Sequence, residues 1–270
     1  MKLNDFRGKA VVITGGTKGI GLATGLCFGR QGAHVYLTHK WGSADENEVR
    51  RKFAEVGAPE PAIVEADVGS DEEAVALLER VKQHHDAVEV FVSNVCIVQP
   101  ASGIESYKKR SLLKSLEYSA WPFVGYIQHI KAVFGRYPRY VVGISSDGPD
   151  RYFSHYEFVA LSKAVMETLC RYLTHHLRGE DIRLNVLRTR NVLTDAIEEI
   201  FGPLYRGFIG KYAGEEYFIA PEEIGNCVLA MCSGMLDALN GQVIMVDKGI
   251  AFADSLMRLM DKREELGMGY

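Results

Sequence analysis

The stretch HYEFVALSKAV, residues 155–165, contains a tyrosine and a lysine of the types that carry out acid–base chemistry. Tyr156 precedes Lys163 by seven residues, nearly two helical turns, so both side chains are predicted to lie on one helix face. A lysine cation makes a neighbouring phenol more acidic, and such a phenol can donate a proton. The pair predicts an acid–base site, in which Tyr152 is a competing acid.

A second segment, TGGTKGIG at residues 14–21, has the composition of a phosphate-binding loop and lies between an apolar run and a helix-like stretch. Gly15 permits a tight turn, Gly19 lets the backbone approach a phosphate, and Gly21 lets the helix pack closely on the strand. The helix N-terminus offers free N–H groups to an anion. This context predicts a dinucleotide site. The other predicted contacts of this loop are Thr17, Lys18 and Ile20.

The end of the second predicted strand indicates which dinucleotide binds. It reads LTHKWG, with His39 and Lys40, and no acid occurs before Asp45. An acid there would bind the ribose 2′-hydroxyl and repel a 2′-phosphate. Because Lys18 also stands directly before Gly19, the charges favour NADPH over NADH.

Short β-rich runs alternate with helical stretches along the chain. The predicted strands cover residues 9–15, 33–38, 61–67, 87–93, 139–145, 182–187 and 241–246. Continuous apolar strands separated by helices predict a parallel sheet that is covered on both faces. The predicted fold class is therefore α/β, a Rossmann-type doubly wound parallel sheet of seven strands with helices on both faces, in a single domain over residues 1–270.

Residues 188–220 break this alternation, because they are long for a loop and rich in Ile, Phe and Tyr. Ligands of such folds bind at the carboxyl ends of the strands, so the segment is predicted to be a helical substrate lid. Ordinary core packing or an oligomer contact is the alternative.

The composition of the 270 residues is that of a globular domain, with 47% hydrophobic residues and a net charge of -4. This charge does not favour nucleic acid or an anionic membrane as a partner, and no segment reaches the ~20 apolar residues of a membrane span. The histidines are scattered, so no metal site is predicted. Five cysteines without a CxxC pair predict reduced thiols and a cytoplasmic location.

Together these motifs resemble the short-chain dehydrogenase/reductase family. The matching elements are TGxxxGxG, ADV at 66–68, SNVC at 93–96, ISS at 144–146, the lysine at 163, RLNV at 183–186, TD at 194–195 and GQVIMVDKG at 241–249. The resemblance covers about residues 6–250. It implies the strand order 3-2-1-4-5-6-7, a nicotinamide cofactor and a homo-oligomer, in particular a tetramer.

The resemblance also implies roles for individual residues. Asp67 and Val68 would hold the adenine, and Asn94 would close over the cofactor beside the fourth strand. Lys163 would hydrogen-bond the nicotinamide ribose, and the loop that contains Thr194 would contact the carboxamide.

Most members of this family place their catalytic tyrosine four residues before the lysine, where this chain has Val159. The usual serine, 13 residues before that position, is Ser146, with Ser145 as the alternative if the strand end is shifted. Tyr156 moves the acid by three residues, about 4.5 Å of helical rise. This spacing resembles the NADPH-dependent enoyl-[acyl-carrier-protein] reductase III branch. In conjugate reduction, charge develops on the thioester oxygen, which is two bonds further from the hydride target than the oxygen of a ketone, so a displaced acid suits that reaction.

The chain departs from the family pattern near the expected site. Ser119 replaces an asparagine of the fourth helix, and Thr189-Arg190 replaces the usual Pro-Gly after the sixth strand. Arg190 would therefore lie near the nicotinamide pocket and meet a carboxylate, a phosphopantetheine or solvent.

Three hypotheses follow. The leading one is an NADPH-dependent reductase of an enoyl thioester, free or carrier-bound, with Tyr156, Lys163 and Ser146 as catalytic residues. The alternative is a ketoreductase of an aromatic or polyketide-like substrate with an atypical proton donor. The third is a cofactor-binding scaffold without turnover.

Overall fold

The computed structural model describes residues 4–40 and 44–268, and its central element is one seven-stranded sheet. The strands are β1 Ala10–Ile13, β2 His34–His39, β3 Ala62–Glu65, β4 Val88–Ser93, β5 Tyr140–Ser146, β6 Arg183–Thr189 and β7 Gln242–Val246. Their order is β3-β2-β1-β4-β5-β6-β7, and all neighbours are parallel. The predicted fold class and strand order are confirmed.

Helices connect the strands and cover both faces of the sheet. They are α1 Gly19–Arg30, α2 Glu46–Glu55, α3 Asp71–Lys82, α4 Lys109–Ser119, α5 Trp121–Phe134, α6 Glu157–His176, α7 Asp195–Phe201, α8 Tyr205–Tyr212, α9 Pro221–Met231 and α10 Ser255–Asp261. Side-chain caps fix several of their first turns. The Asp45 carboxylate, for example, accepts a hydrogen bond from the Glu48 N–H at the start of α2.

Two hydrophobic cores lie on opposite faces of the sheet, because side chains alternate along each strand. In β1, Val11 and Ile13 belong to one core, whereas Ala10 and Val12 belong to the other. The first core receives side chains from α1, α2 and α9, namely Phe28, Phe53 and Val228. The second receives side chains from α3, α5 and α6, namely Leu77, Phe123 and Met166. Helices thus cover both faces, as predicted, and α4 also packs on the second core through Leu116 and Tyr118.

The strand order reverses between β1 and β4, which leaves a crevice at the carboxyl ends of these strands. The register of β5 and β6 pairs Ser146 with Thr189, so the chain leaves both strands at the same level. The residues that follow these strands are therefore brought together at one edge of the sheet.

The segment 188–220 begins inside β6 and continues into α7 and α8. It is closed at its base by a parallel bridge between Val192 and Ile219. The Leu193 N–H donates to the Ile219 carbonyl at 2.9 Å, and the Ile219 N–H donates to the Asn191 carbonyl at 3.1 Å. The segment is helical, as expected, and its action as a lid remains a prediction.

Candidate active site

A cavity of about 490 Å³ opens at the carboxyl ends of the strands. It brings together most of the residues that the sequence singles out. The predicted residues that line it are Gly15, Thr17, Lys18, Gly19, Ile20, His39, Lys40, Val68, Asn94, Ser146, Tyr156, Lys163 and Thr194. Gly21 lies behind the loop, and Asp67 contacts Lys40 at the edge of the cavity.

The glycine loop has no room for side chains at its closest points. A Cβ at Gly21 would lie 2.3 Å from the Gly15 carbonyl oxygen, and one at Gly16 would lie 2.6 Å from Leu37. Gly15 and Gly19 have φ values of +61° and +54°, which favour glycine. The loop is thus a bare backbone cradle before the N-terminus of α1, which suits the pyrophosphate of a dinucleotide.

Two neighbouring strands hold this cradle in place. The Asn94 Nδ2 donates to the carbonyl oxygens of Thr14, at 3.1 Å, and Gly15, at 3.0 Å. The Gly15 N–H donates to the Thr38 hydroxyl at 3.2 Å. Across the cavity, a Cβ at Gly19 would lie 3.4 Å from the Thr194 methyl group, so the loop after β6 packs on the cradle.

The adenine end of the predicted cofactor site contains an ion pair that the sequence did not predict. The Lys40 ammonium contacts the Asp67 carboxylate and donates to the Tyr118 hydroxyl at 2.9 Å. Tyr118 in turn donates to Asp67 at 3.1 Å. Burial raises the pKa of Asp67, but Lys40, the Gly69 N–H and Tyr118 outweigh it, so the net pKa is lowered. The positive charge of Lys40 is therefore compensated within the protein.

The other two basic side chains at this end have different surroundings. Lys18 is exposed at the rim of the cavity. His39 is buried, and neither ring nitrogen has a hydrogen-bond partner among the described residues. Its Nε2 lies 3.7 Å from the Glu46 carboxylate. Lys18 and His39 are thus two basic side chains at this end of the cavity that form no hydrogen bond with a carboxylate of the described residues.

Tyr156 lies at the N-cap of α6, just outside the helix on which it was expected. Its ring packs against Phe153, with a centroid separation of 5.7 Å, and stacks on Phe201 at 6.0 Å. Burial, reinforced by nearby Cys96, raises the pKa of Tyr156 above its ordinary value, and a hydrogen bond with Ser146 opposes that rise. The phenol is therefore protonated at neutral pH, the state that a proton donor requires.

Lys163 and Val159 lie one helical turn apart on α6. Lys163 is 4% exposed, and its ammonium donates to the Ile144 carbonyl oxygen at 2.8 Å. Val159 is 1% exposed and lines the cavity at the station where most family members have their acid. Tyr152, the competing acid, is 83% exposed and lies outside the cavity lining.

The two serines at the end of β5 are distinguished by their partners. Ser145 donates to the Glu167 carboxylate at 2.7 Å, whereas Ser146 accepts from the Gly148 N–H at 3.4 Å and hydrogen-bonds Tyr156. Ser146 is thus the serine that contacts the candidate acid. Ser119 replaces the asparagine that is usual in the family at this position of the fourth helix. Its hydroxyl accepts a hydrogen bond from the Ile97 N–H at 3.1 Å.

Two arginine–carboxylate pairs lie at the end of β6, and the sequence predicted neither; of the four residues, only Asp147 and Arg190 line the cavity. Arg188 forms a bidentate pair with buried Glu167, at 2.7 and 2.6 Å, and also contacts Asp150. Arg190 lies 3.2 Å from the Asp147 carboxylate. The group that Arg190 would meet in the pocket remains a prediction.

Aromatic rings form the wall of the cavity above these pairs. Phe201 stacks on Tyr205 at 4.7 Å, and the Tyr205 hydroxyl donates to the Asn191 side chain at 3.0 Å. Arg190 lies 5.9 Å from the Phe153 ring centroid. The sequence indicated Phe201 and Tyr205 only through the many aromatic residues of the segment 188–220. That these rings lie beside Phe153 follows from the fold and not from the sequence.

Within the described ranges, no group of three or more His, Cys, Asp or Glu side chains could hold a metal ion. Over the same part of the chain, no helix is long and apolar enough to cross a membrane.

Comparison with known proteins places this site in a family. The model of the family described as "Enoyl-(Acyl carrier protein) reductase" matches residues 15–251. The fold, the glycine cradle and this match show that the chain belongs to the short-chain dehydrogenases/reductases, in the group of that model. The protein is accordingly an oxidoreductase with a site for a nicotinamide cofactor.

The relatives include enzymes with different substrates. The chain is 26% identical over 250 residues to 3beta-hydroxysteroid dehydrogenase 1 of Eggerthella lenta, covering 92% of this chain and 95% of that protein. It is 22% identical over 267 residues to enoyl-[acyl-carrier-protein] reductase [NADH] FabI of Aquifex aeolicus, covering 97% and 96%. A 7 alpha-hydroxysteroid dehydrogenase, solved with NADH and 7-oxo glycochenodeoxycholic acid, matches with a TM-score of 0.79 at 23% identity, covering 90% and 94%.

Proposed function

We propose that the protein is an NADPH-dependent reductase of the C=C bond of an enoyl thioester, with Tyr156 as the proton donor. The observation that carries this proposal is that the phenol at the start of α6 lies three residues earlier than the family's usual acid. Val159 lines the cavity where the usual acid would stand, and protonated Tyr156 lines the same cavity before the helix begins.

The displaced donor fits the charge that develops in conjugate reduction. A bound reduced nicotinamide supplies a hydride, which goes to the β carbon of the thioester. Negative charge then develops on the thioester oxygen, and the donor must lie there rather than beside the hydride target. Tyr156 would protonate this oxygen to give an enol, which would tautomerise to the saturated thioester as a proton moves from the oxygen to Cα. Ser146 would orient the phenol through their hydrogen bond. Lys163, held by the Ile144 carbonyl, would bind the ribose.

The preference for NADPH is also part of the proposal. It is supported by exposed Lys18 at the rim of the cavity and by buried His39 at the end of β2, whose ring nitrogens form no hydrogen bond within the described residues. Lys40 contributes less than the sequence suggested, because it pairs with Asp67. The relative from Aquifex aeolicus is named as an NADH enzyme, so direct comparison of both cofactors is required.

Further proposals concern assembly and location. A homo-oligomer, in particular a tetramer, would cover apolar side chains that are exposed on α6, namely Leu161, Val165 and Tyr172. The five cysteines are unpaired thiols, as expected in a reducing cytoplasm.

A ketoreductase of a ring-bearing substrate is the second candidate. It is favoured by the aromatic wall of Phe153, Phe201 and Tyr205, and two of the relatives are hydroxysteroid dehydrogenases. In that reaction, Tyr156, the substrate or water would supply the proton.

The test measures NADPH oxidation with crotonoyl-coenzyme A and, separately, with a panel of quinones and aryl ketones. Oxidation with the thioester supports the proposed function. Oxidation with ketones alone supports the second candidate. Cofactor binding without turnover on any of them would support a non-catalytic scaffold.

A further inference from the structure

Two arginines at the end of β6 are paired with carboxylates in different ways. Arg188 contacts Glu167 through two short hydrogen bonds, from Nε to Oε1 at 2.7 Å and from Nη2 to Oε2 at 2.6 Å. Arg190 contacts Asp147 through Nη1, which lies 3.2 Å from Oδ2. The first pair has the two-pronged geometry of a structural ion pair, and the second does not.

The Arg190–Asp147 pair leaves one donor and one acceptor unsatisfied. Among the described residues, neither Arg190 Nε nor Asp147 Oδ2 makes a hydrogen bond, although both atoms are buried. The Asp147 side chain is 4% exposed. Arg151, whose Nε lies 3.7 Å from Oδ2, and Asp247 are the other charged groups near it. Since buried polar atoms are nearly always hydrogen-bonded, an unsatisfied pair beside a cavity points to a ligand.

The pair lies on the substrate side of the cavity. Both side chains line it, and Arg190 is 5.9 Å from the Phe153 ring, which is itself 5.7 Å from the Tyr156 ring. The Phe153 ring thus contacts both Arg190 and the proposed proton donor, and Gly148, next to Asp147, packs against the Tyr156 ring. The family's usual Pro-Gly after the sixth strand could not supply a guanidinium here.

We propose that Asp147 and Arg190 bind a hydroxyl group on the ring or acyl part of the substrate. The hydroxyl would donate to Asp147 Oδ2 and accept from Arg190 Nε. A substrate carboxylate would be repelled by Asp147, and an ammonium by Arg190, so an uncharged group that both donates and accepts fits best. The aromatic wall offers flat apolar contacts to an unsaturated ring.

The substrate class is therefore a hydroxylated, unsaturated cyclic acyl thioester, and this inference rests on the proposed reduction of enoyl thioesters. A primary carboxamide has the same donor and acceptor chemistry, so the nicotinamide end of the cofactor is a second source of such a group. The affinities of Asp147→Ala for NADPH and for 2′-phospho-ADP-ribose, which lacks the nicotinamide, separate the two sources. Weakened binding of NADPH alone would assign the pair to the cofactor and overturn the proposal.

The main experiment measures kcat/KM for the coenzyme A thioester of cyclohex-1-ene-1-carboxylic acid and for its 3-, 4- and 5-hydroxy derivatives. The wild-type protein is expected to prefer at least one hydroxylated thioester by about 10-fold or more, because a site built for a hydroxyl rejects analogues that lack it. Asp147→Ala and Arg190→Met should each reduce this preference to about 3-fold or less. Asp150→Ala, which removes an exposed carboxylate nearby, should preserve it.

An unchanged preference in Asp147→Ala and Arg190→Met, with thermal unfolding showing that both variants are folded, would overturn the proposal. Failure of every thioester to react would contradict the proposed function instead. The inference is then tested by calorimetry on the NADP+-loaded protein, with the N-methylamides of the same acids as probes. Hydroxylated amides should bind wild type, but not Asp147→Ala, more tightly than the plain amide, and equal binding by both proteins would overturn the inference.

Discussion

Tyr156 and Val159 lie on either side of the point where α6 begins, and both line the same cavity. Tyr156 is the N-cap residue, whereas Val159 is buried one turn before Lys163. The helix therefore has an apolar side chain at the position of the usual catalytic tyrosine, and the phenol of Tyr156 lies just before its first turn. The reaction that this arrangement performs can be tested with single substitutions.

Tyr156→Phe should lower turnover about 100-fold or more, because it removes a general acid while keeping the ring and its stacking. The affinity for NADPH, measured by fluorescence titration, should stay within about twofold, since the hydroxyl alone is lost. Tyr152→Phe, at an exposed position, is the matched control and should be fully active. Full activity of Tyr156→Phe on a reactive thioester would show that the proton comes from elsewhere.

The pH dependence should reflect the raised pKa of Tyr156. Its ordinary value is about 10, and burial raises it further, so the phenol keeps its proton through neutral and mildly alkaline pH. The rate of thioester reduction should therefore show no decline due to loss of this proton below about pH 10. A decline below pH 9 in stopped-flow rates, absent from Tyr156→Phe, would contradict this expectation.

Lys18→Ala should weaken NADPH binding by about 10-fold and leave NADH binding nearly unchanged, because the lysine is proposed to face the 2′-phosphate. Equilibrium titration with both cofactors is the measurement. Lys9→Ala removes an exposed lysine at the opposite end of β1 and serves as the control. Equal losses for NADPH and NADH in Lys18→Ala would mean that Lys18 does not distinguish them.

Glu167→Gln should reduce the free energy of unfolding by about 3 kcal/mol, because it removes the partner of a largely buried guanidinium. Glu167 accepts from both Ser145 and Arg188, so its loss also loosens the end of β5. Urea unfolding gives the value. Replacing the pair together, as Glu167→Met with Arg188→Met, should cost less than Glu167→Gln alone. A larger cost for the double variant would contradict this account.

Leu161→Asp with Tyr172→Asp should shift the protein towards monomer in sedimentation at micromolar concentration. Both side chains are exposed on α6 on the same side as Val165, which Leu161 precedes by four residues and Tyr172 follows by seven, and a partner would bury them. Leu173 and Leu177, by contrast, pack against the core of this chain. Phe208→Asp, on α8, is the control. A monomeric wild-type protein would contradict the proposed assembly.

The sequence predicted the sheet because its strands are short apolar runs with a simple period. It placed Ser146, Tyr156 and Lys163 in one cavity because the residues that end a strand and begin the following helix lie at the carboxyl edge of a parallel sheet. It did not predict the ion pair of Lys40 with Asp67. That contact depends on the register of β2 and β3, where His39 pairs with Glu65.

The same reason explains the other contacts that were missed. Asp147 and Arg190 are distant in sequence and meet because Ser146 pairs with Thr189. Tyr156 was expected inside a helix, but α6 starts one residue later, after His155 adopts a φ of +63°. Helix boundaries and cross-strand neighbours are set by packing, which local sequence patterns describe poorly.

The bridge between Val192 and Ile219 has a practical consequence for engineering. The bridge closes the base of the segment 188–220, so residues 195–218 form a cassette whose exchange would keep Thr194, the sheet and the glycine cradle. Swapping this cassette among relatives should transfer substrate preference without redesign of the cofactor site. A break in the chain at the exposed turn between α7 and α8 should likewise leave two fragments that remain associated.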